Sequence, residues 1–201
     1  RRRSVGWSPR TRAASASCAY GSTRQQVVGL QAVLADGSVL SRLEALPKDN
    51  TGFDLVGLLT GSEGTLAVIT GVRARLWPLF THRTVALMGL DGAGAALAAL
   101  AALKSRLSSL EAAELFLANG LALVMRHTGL PAPMPGNHPA YLLVECTDRV
   151  DPGEAVLEAL EEVRALVPGL VDIVMSEDAR GRAGLWRYRE AHTESINAFG
   201  V

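Results

Sequence analysis

Arg189 and Thr193 stand four residues apart in a segment with helical periodicity, Leu185-Trp186-Arg187-Tyr188-Arg189-Glu190 and onward. On one helix, residues i and i+4 share a face, with Trp186 one turn earlier on that side. A guanidinium beside a hydroxyl suits a carboxylate, because arginine offers a planar fork of donors. Most such pairs on helices simply face solvent, so the spacing alone leaves both readings open. A second constellation is Gly61-Ser62-Glu63-Gly64-Thr65-Leu66-Ala67-Val68-Ile69-Thr70. Its two glycines permit positive φ and close backbone approach, and successive N–H groups at such a turn can hold an anion or the polar edge of a ring. It lacks the lysine of a phosphate loop. Read from its residues, it is equally a plain turn entering a buried strand. Gly92-Ala93-Gly94-Ala95-Ala96-Leu97 has the context of a dinucleotide fingerprint but carries Leu at its sixth position, and only Glu111 and Glu114 follow at the distance of a ribose-binding acid. A glycine-rich strand-to-helix turn is the expected reading there.

The elements that must position these residues follow from periodicity and turn chemistry. Val27 to Leu34 reads as a strand, Asp36-Gly37 as a hairpin turn, and Val39-Leu40 as the return. Pro47 to Gly52 reads as a loop, Asp54 as the cap of a short helix through Leu58, and Leu66 to Leu76 as a strand ending before Pro78. Beyond it, strands are expected at Thr84–Leu90, Leu110–Leu117 (also compatible with helix), Tyr141–Cys146 and Val171–Met175. Helices are expected at Ala93–Leu107, Leu121–His127, from Asp151-Pro152 to Leu166, and as one long helix from Ser176 to Ala198, broken or softened at Gly181 and Gly184. Leu130 to Pro139 holds four prolines and is expected to be a loop. This order predicts a small α/β unit of split βαβ type. A composition shift near Trp77 to Phe80 marks a domain boundary.

The chain has 201 residues, 48% hydrophobic and 20% charged, with a formal net charge of zero. Such a balance suits a globular protein and gives no general attraction to nucleic acid or anionic membrane. No apolar run approaches the roughly 20 residues needed to span a bilayer. Cys18 and Cys146 form no CxxC pair, and His82, His127, His138 and His192 show no ligand spacing, so no metal site is expected. A reducing cytoplasm is the default location. Residues 1–17 are rich in Arg, Ser and Ala and lack acids and hydrophobic period. A transit peptide, a phosphate-binding arm and a non-native start all fit, and the last is the expectation taken here.

Lys48-Asp49-Asn50-Thr51-Gly52-Phe53-Asp54-Leu55 followed by Gly61 to Thr70 resembles the FAD-linked oxidases of the vanillyl-alcohol-oxidase type, among them D-2-hydroxyglutarate, D-lactate and glycolate dehydrogenases. Tyr20-Gly21-Ser22-Thr23-Arg24, then Val27–Leu30 and Ala35-Asp36-Gly37, fit the same family just upstream. The resemblance runs from about Tyr20 to Val201. It implies an α+β chain: the C-terminal part of a PCMH-type FAD-binding domain over residues 18–79, then a ferredoxin-like α/β substrate (cap) domain over residues 80–201, truncated. It implies FAD contacts from Tyr20, Gly21, Thr51, Gly52, Gly61, Ser62, Glu63, Gly64, Thr65, Leu66 and Ile69, chiefly through the backbone of Gly64 and Ile69. Ala67 stands where the family usually has glycine. The resemblance places Arg189, Thr193, Lys48 and Asn50 at the substrate, a 2-hydroxy acid held by its carboxylate. It implies no general base within the chain, and a divalent metal only in the full-length parent, with its ligands beyond Val201. The family's glycine-rich flavin pyrophosphate loop and Asn-Ala-Gly-Gly segment would precede Tyr20, where the Arg-rich leader stands. From these gaps the fragment itself is expected to be inactive and to retain FAD weakly if at all. A flavoprotein of other substrate class, such as an ether-lipid synthase, and an inactive folded remnant or binding module are the alternatives. The electron acceptor is left unassigned, and a homodimer is left open.

Overall fold

In the computed structural model, residues 2–3, 17–44 and 51–200 are described. Lys48, Asn50 and nearly all of the Arg-rich leader therefore lie outside the described residues. The chain divides into two compact units, residues 1–79 and 80–201.

In the first unit, a two-residue strand β1 (Arg2–Arg3) bridges β5 (Trp77–Pro78), and two four-residue helical turns, α1 (Ser17–Tyr20) and α2 (Thr23–Gln26), lead into β2 (Val27–Val33). Strand β2 pairs antiparallel with β3 (Val39–Ser41) on one side and β4 (Val68–Ala74) on the other. The β2–β3 turn has the expected chemistry: Gly37 sits at φ +82°, and the Asp36 carboxylate accepts from the Ser38 amide at 2.9 Å. Asp54 caps α3 (Leu55–Leu59), accepting from the Gly57 amide at 2.8 Å. Leu30, Ala32, Leu59 and Ala67 form the buried cluster beneath this small sheet. The strand expected from Leu66 to Leu76 is shorter, because Leu66 belongs to the preceding turn and Ala67 turns inward to the core.

The second unit is built on a four-stranded antiparallel sheet in the order β7-β8-β6-β9. Its strands are β6 (His82–Leu90), β7 (Leu110–Leu117), β8 (Ala140–Asp148) and β9 (Leu170–Ser176). Helix α4 (Ala93–Arg106) joins β6 to β7, and α6 (Gly153–Leu166) joins β8 to β9. Two split βαβ units thus interleave, which is the ferredoxin-like arrangement. Side chains alternate across each strand. Ala86, Met88 and Leu90 of β6 and Leu142, Val144 and Cys146 of β8 pack with Ala96, Ala99, Leu103, Val156 and Leu160 of α4 and α6. Val85, Leu87, Tyr141 and Leu143 face the other way. There they meet Leu121 of α5 (Ala118–Thr128) and Leu185, Trp186 and Tyr188 of α7 (Ala179–Glu190). The ambiguous segment Leu110–Leu117 is a strand paired antiparallel with β8, with Leu110 and Ala113 packed in one layer and Ala112 and Phe116 in the other.

One expectation is overturned. The long helix from Ser176 to Ala198 is two helices, α7 and α8 (His192–Phe199), which meet at Ala191. Gly181 and Gly184 lie inside α7 and do not interrupt it. A Cβ on Gly181 would come within 2.0 Å of Ser176 Oγ, so glycine here permits close approach rather than a break. The interruption comes from tertiary packing: the His192 ring lies against Phe116, with centroids 5.2 Å apart, and against Gly120 of α5.

The glycine run after β6 opens a 14-residue helix, but every neighbour in this sheet is antiparallel. The parallel βαβ crevice that a dinucleotide fingerprint serves is not part of this architecture. Cys146 is fully buried on the α4/α6 side, and burial pushes its thiol up to about 11, with the nearby Glu145 carboxylate adding to the rise. It is an inert core residue.

Candidate functional site

The sheet face that carries α7 also carries charge. Glu114 shares the parity of Phe116 on β7, Glu145 that of Leu143 on β8, and Arg83 that of Val85 on β6. Three charged residues therefore point into the layer that α5, α7 and α8 cover. Glu145 is 6% exposed and has two partners. Its Oε2 accepts from Trp186 Nε1 at 2.5 Å, and its Oε1 from Arg83 Nη1 at 2.6 Å. Tyr188 donates its hydroxyl to the Pro131 carbonyl at 2.9 Å. Helix α7 is thus tied to β8 and to the proline-rich loop on either side of Arg187.

Arg189 lies three residues after Trp186 and next to Tyr188. Its Nε donates to Glu114 Oε2 at 2.7 Å, with 28% of the arginine side chain and 14% of the glutamate side chain exposed. Thr193 lies beyond the interruption at Ala191, on α8, and is exposed. The two residues therefore do not share one uninterrupted helix face, as their spacing predicts. Spacing singled out Glu114 only as a candidate ribose-binding acid after the glycine run, and Glu145 not at all. Their signal was present: each is an acid between apolar residues of a strand, and a buried carboxylate needs a donor.

His192 adds an anomaly. Both its ring nitrogens are buried and lack a hydrogen-bond partner among the described residues. Burial holds its pKa below the ordinary histidine value, and the Arg189 charge acts the same way, against opposing contributions from the Tyr188 and Arg189 backbone and Glu114. A histidine depressed in the folded state keeps full stability above its unfolded value of about 6.5 and loses it as pH falls towards the folded value, since the unfolded chain then binds the extra proton. His192→Leu is expected to flatten that acid loss. Urea midpoints of both proteins at pH 7.5 and pH 5 measure it, and equal acid sensitivity of the two would disprove the assignment.

In the first unit, the turn after α3 has an unusual backbone. Gly61 and Gly64 have φ of +81° and +78°, and between them Glu63, at φ +51°, is the one non-glycine residue with positive φ among the described residues. The Ser62 amide donates to Leu59 O at 3.2 Å, and the Thr65 amide and hydroxyl both donate to Ser62 O, at 3.0 and 2.6 Å. The amides of Glu63 and Gly64 have no protein acceptor among the described residues. A Cβ on Gly64 would meet nothing within 4 Å. Open space over two unspent amides fits the backbone approach of a flat, polar-edged ligand such as a flavin. Past the turn, Leu66, Val68 and Ile69 are 48%, 67% and 41% exposed. Ala67 is 7% exposed and has no positive φ, so its methyl group fills the core where glycine would leave a gap.

Ile69 and Gly61 also line a pocket of about 640 Å³ with Thr23, Leu30, Thr60 and Thr70. Tyr20 packs its ring on Trp77 at 5.1 Å, and Gly21 sits at φ +75° over Gln25. Thr51 is exposed, as is Gly52, at φ +95°. Among the described residues no group of three or more His, Cys, Asp or Glu could hold a metal ion, and no helix is long and apolar enough to cross a membrane.

The second unit is a ferredoxin-like sheet whose α7 face carries an arginine held by a strand glutamate. Residues 80–201 match the family described as FAD linked oxidases, C-terminal domain, and the chain belongs to that family. It is 40% identical over 186 residues to the mitochondrial D-2-hydroxyglutarate dehydrogenase of Bos taurus, covering 90% of this chain and 34% of that protein. It is 33% identical over 177 residues to the D-2-hydroxyglutarate dehydrogenase of Xanthomonas citri pv. viticola, covering 88% of this chain and 37% of that protein. The chain spans about a third of the length of the curated relatives it matches. Among solved structures, p-cresol methylhydroxylase with substrate bound is similar at a TM-score of 0.59 and 17% identity, over 89% of this chain and 41% of that one. Alkyldihydroxyacetonephosphate synthase is similar at 0.58 and 15%, over 92% and 34%. These two likenesses are of fold.

Proposed function

We propose that the protein to which this chain belongs is an FAD-dependent oxidoreductase that converts a D-2-hydroxy acid, of the D-2-hydroxyglutarate, D-lactate or glycolate kind, to the 2-oxo acid. When bound, FAD supplies the acceptor for the hydride that leaves C2. The Glu63-Gly64 amides and the exposed apolar side chains of Leu66 and Ile69 would hold part of that cofactor. Arg189 holds the substrate carboxylate, and its half-buried guanidinium is worth more to an anion there than a fully solvated one would be. Thr193, Lys48 and Asn50 are assigned to the substrate side of the site by family resemblance. No residue of this chain is assigned to remove the hydroxyl proton.

The observation that carries this reading is Arg189 itself. It stands on a helix fixed at Trp186 and Tyr188, its orientation set by Glu114, in a chain 40% identical to a dehydrogenase of a substrate with two carboxylates. The test begins with the gene extended in both directions. Its product is expected to carry flavin absorption and to bleach anaerobically with D-2-hydroxyglutarate or D-lactate. Arg189→Ala is expected to raise KM by about a hundredfold, the size of a lost charge-assisted carboxylate contact. A colourless folded product, or bleaching unchanged by Arg189→Ala, would sink the proposal.

A further inference from the structure

We infer that Glu114 is the positioning residue of the carboxylate clamp: it holds Arg189 by Nε so that the terminal edge of the guanidinium is the edge offered to the ligand. The inference rests on the reading of Arg189 proposed above.

The argument starts from donor geometry. A guanidinium has five N–H donors in one plane, and a carboxylate is taken in bidentate fashion along one of its edges. Glu114 Oε2 accepts from Nε at 2.7 Å, so the side edge is occupied by the protein. The described residues give Nε its acceptor and give none to the two terminal nitrogens. The exposures agree: Glu114 is the more shielded partner at 14%, whereas Arg189 remains 28% exposed. The carboxylate is thus the more shielded member of the pair, on the sheet, and the guanidinium the more accessible.

The backbone explains why this acid can act on this arginine. Glu114 sits in β7, a strand paired along its length with β8, so its own position is fixed by the sheet. Arg189 comes from the last turn of α7, two residues before the chain bends at Ala191. A long side chain at a helix end has rotamer freedom to lose, and holding it in advance lowers the entropic cost of binding. Glu114 also brings a negative charge, which opposes an incoming carboxylate. The two effects have opposite signs, so experiment can separate them.

In the flavoprotein from the extended gene, Glu114→Leu keeps the volume and removes the acceptor, and Glu114→Gln keeps an acceptor and removes the charge. If Glu114 positions Arg189, the Leu variant raises KM for D-2-hydroxyglutarate at least about tenfold with kcat nearly unchanged, and the Gln variant stays near wild type. A KM that is unchanged or lower in the Leu variant would show that the charge, and not the orientation, dominates, and would overturn the inference. So would a Gln variant as impaired as Leu. Should the Leu variant fail to fold, the Gln variant decides, together with the exchange rate of the Arg189 Nε–H proton, which must stay slow in Gln. Arg189→Ala, measured alongside, separates the two levels. If it leaves KM unchanged, the clamp reading itself fails. If it raises KM while Glu114→Leu does not, only the role of Glu114 falls.

Discussion

Glu145→Ala is expected to lower stability by about 3–5 kcal/mol, the cost of removing one partner from a buried ionic pair. The carboxylate sits on β8, strand-paired on both sides, and accepts from Trp186 Nε1 and from Arg83. Its removal strands an indole N–H in an apolar layer and leaves a guanidinium facing that layer without a counter-charge. Arg83 is 30% exposed, so water can reach its charge, and this places the loss at the lower end of the range. Glu145→Gln keeps an acceptor for Trp186 and is expected to lose only about 1–2 kcal/mol. Urea denaturation of the whole chain followed by circular dichroism measures both. Equal losses for Ala and Gln would show that the charge alone matters; a loss under 1 kcal/mol for Ala would show that the Trp186 bond contributes little. The consequence reaches the candidate site, because Trp186 lies one turn before Arg189 on α7. A loosened α7 is expected to release the Arg189–Glu114 contact before the sheet itself unfolds.

Gly89→Ala is the second large effect, expected at about 2–3 kcal/mol from overpacking. Gly89 pairs with Tyr141 on one side and Asp172 on the other, in the middle of the sheet order. A Cβ there would lie 2.3 Å from His138 Cδ2 and 2.7 Å from both Cγ and Nε2. His138 is 6% exposed, crosses edge-on to Tyr141, and contacts Asp172 Oδ2 through Nε2 at 2.8 Å. The ring cannot yield without giving up that contact, and with it the anchor of the proline-rich loop. The cycle with His138→Ala tests the cause. In that background, Gly89→Ala should cost less than about 1 kcal/mol, since the two sites couple only through the clash. Additive losses would point instead to strand backbone effects at Gly89.

The fold was legible in the sequence to the extent that its signals are local. Asp36-Gly37 and Asp54 act through their own and neighbouring amides, so their roles could be read from a few letters. The glycine turn from Gly61 to Thr65 was recognisable for the same reason, yet the positive φ of Glu63 was not, because nothing about a glutamate announces it. The expected helix from Ser176 to Ala198 shows the limit. Its periodicity is continuous through Ala191, and the two glycines that looked like weak points are harmless inside α7. The interruption comes from the fit of the His192 ring between Phe116 and Gly120, residues more than seventy positions away.

By itself, then, the sequence determined most of the strands and helices and the turns between them, while Arg189, Thr193 and the glycine segment stood out as candidates only through the family resemblance. The elements and turns depend on side-chain period and on short-range hydrogen bonds, which a contiguous stretch of chain carries within itself. Only the tertiary structure decided the order β7-β8-β6-β9 and which acids face α7. It alone brought Glu114 to Arg189 across 75 residues and Glu145 to Trp186 across 41. Such pairs depend on strand register, in which a slip of one residue would turn each acid to the opposite face of the sheet.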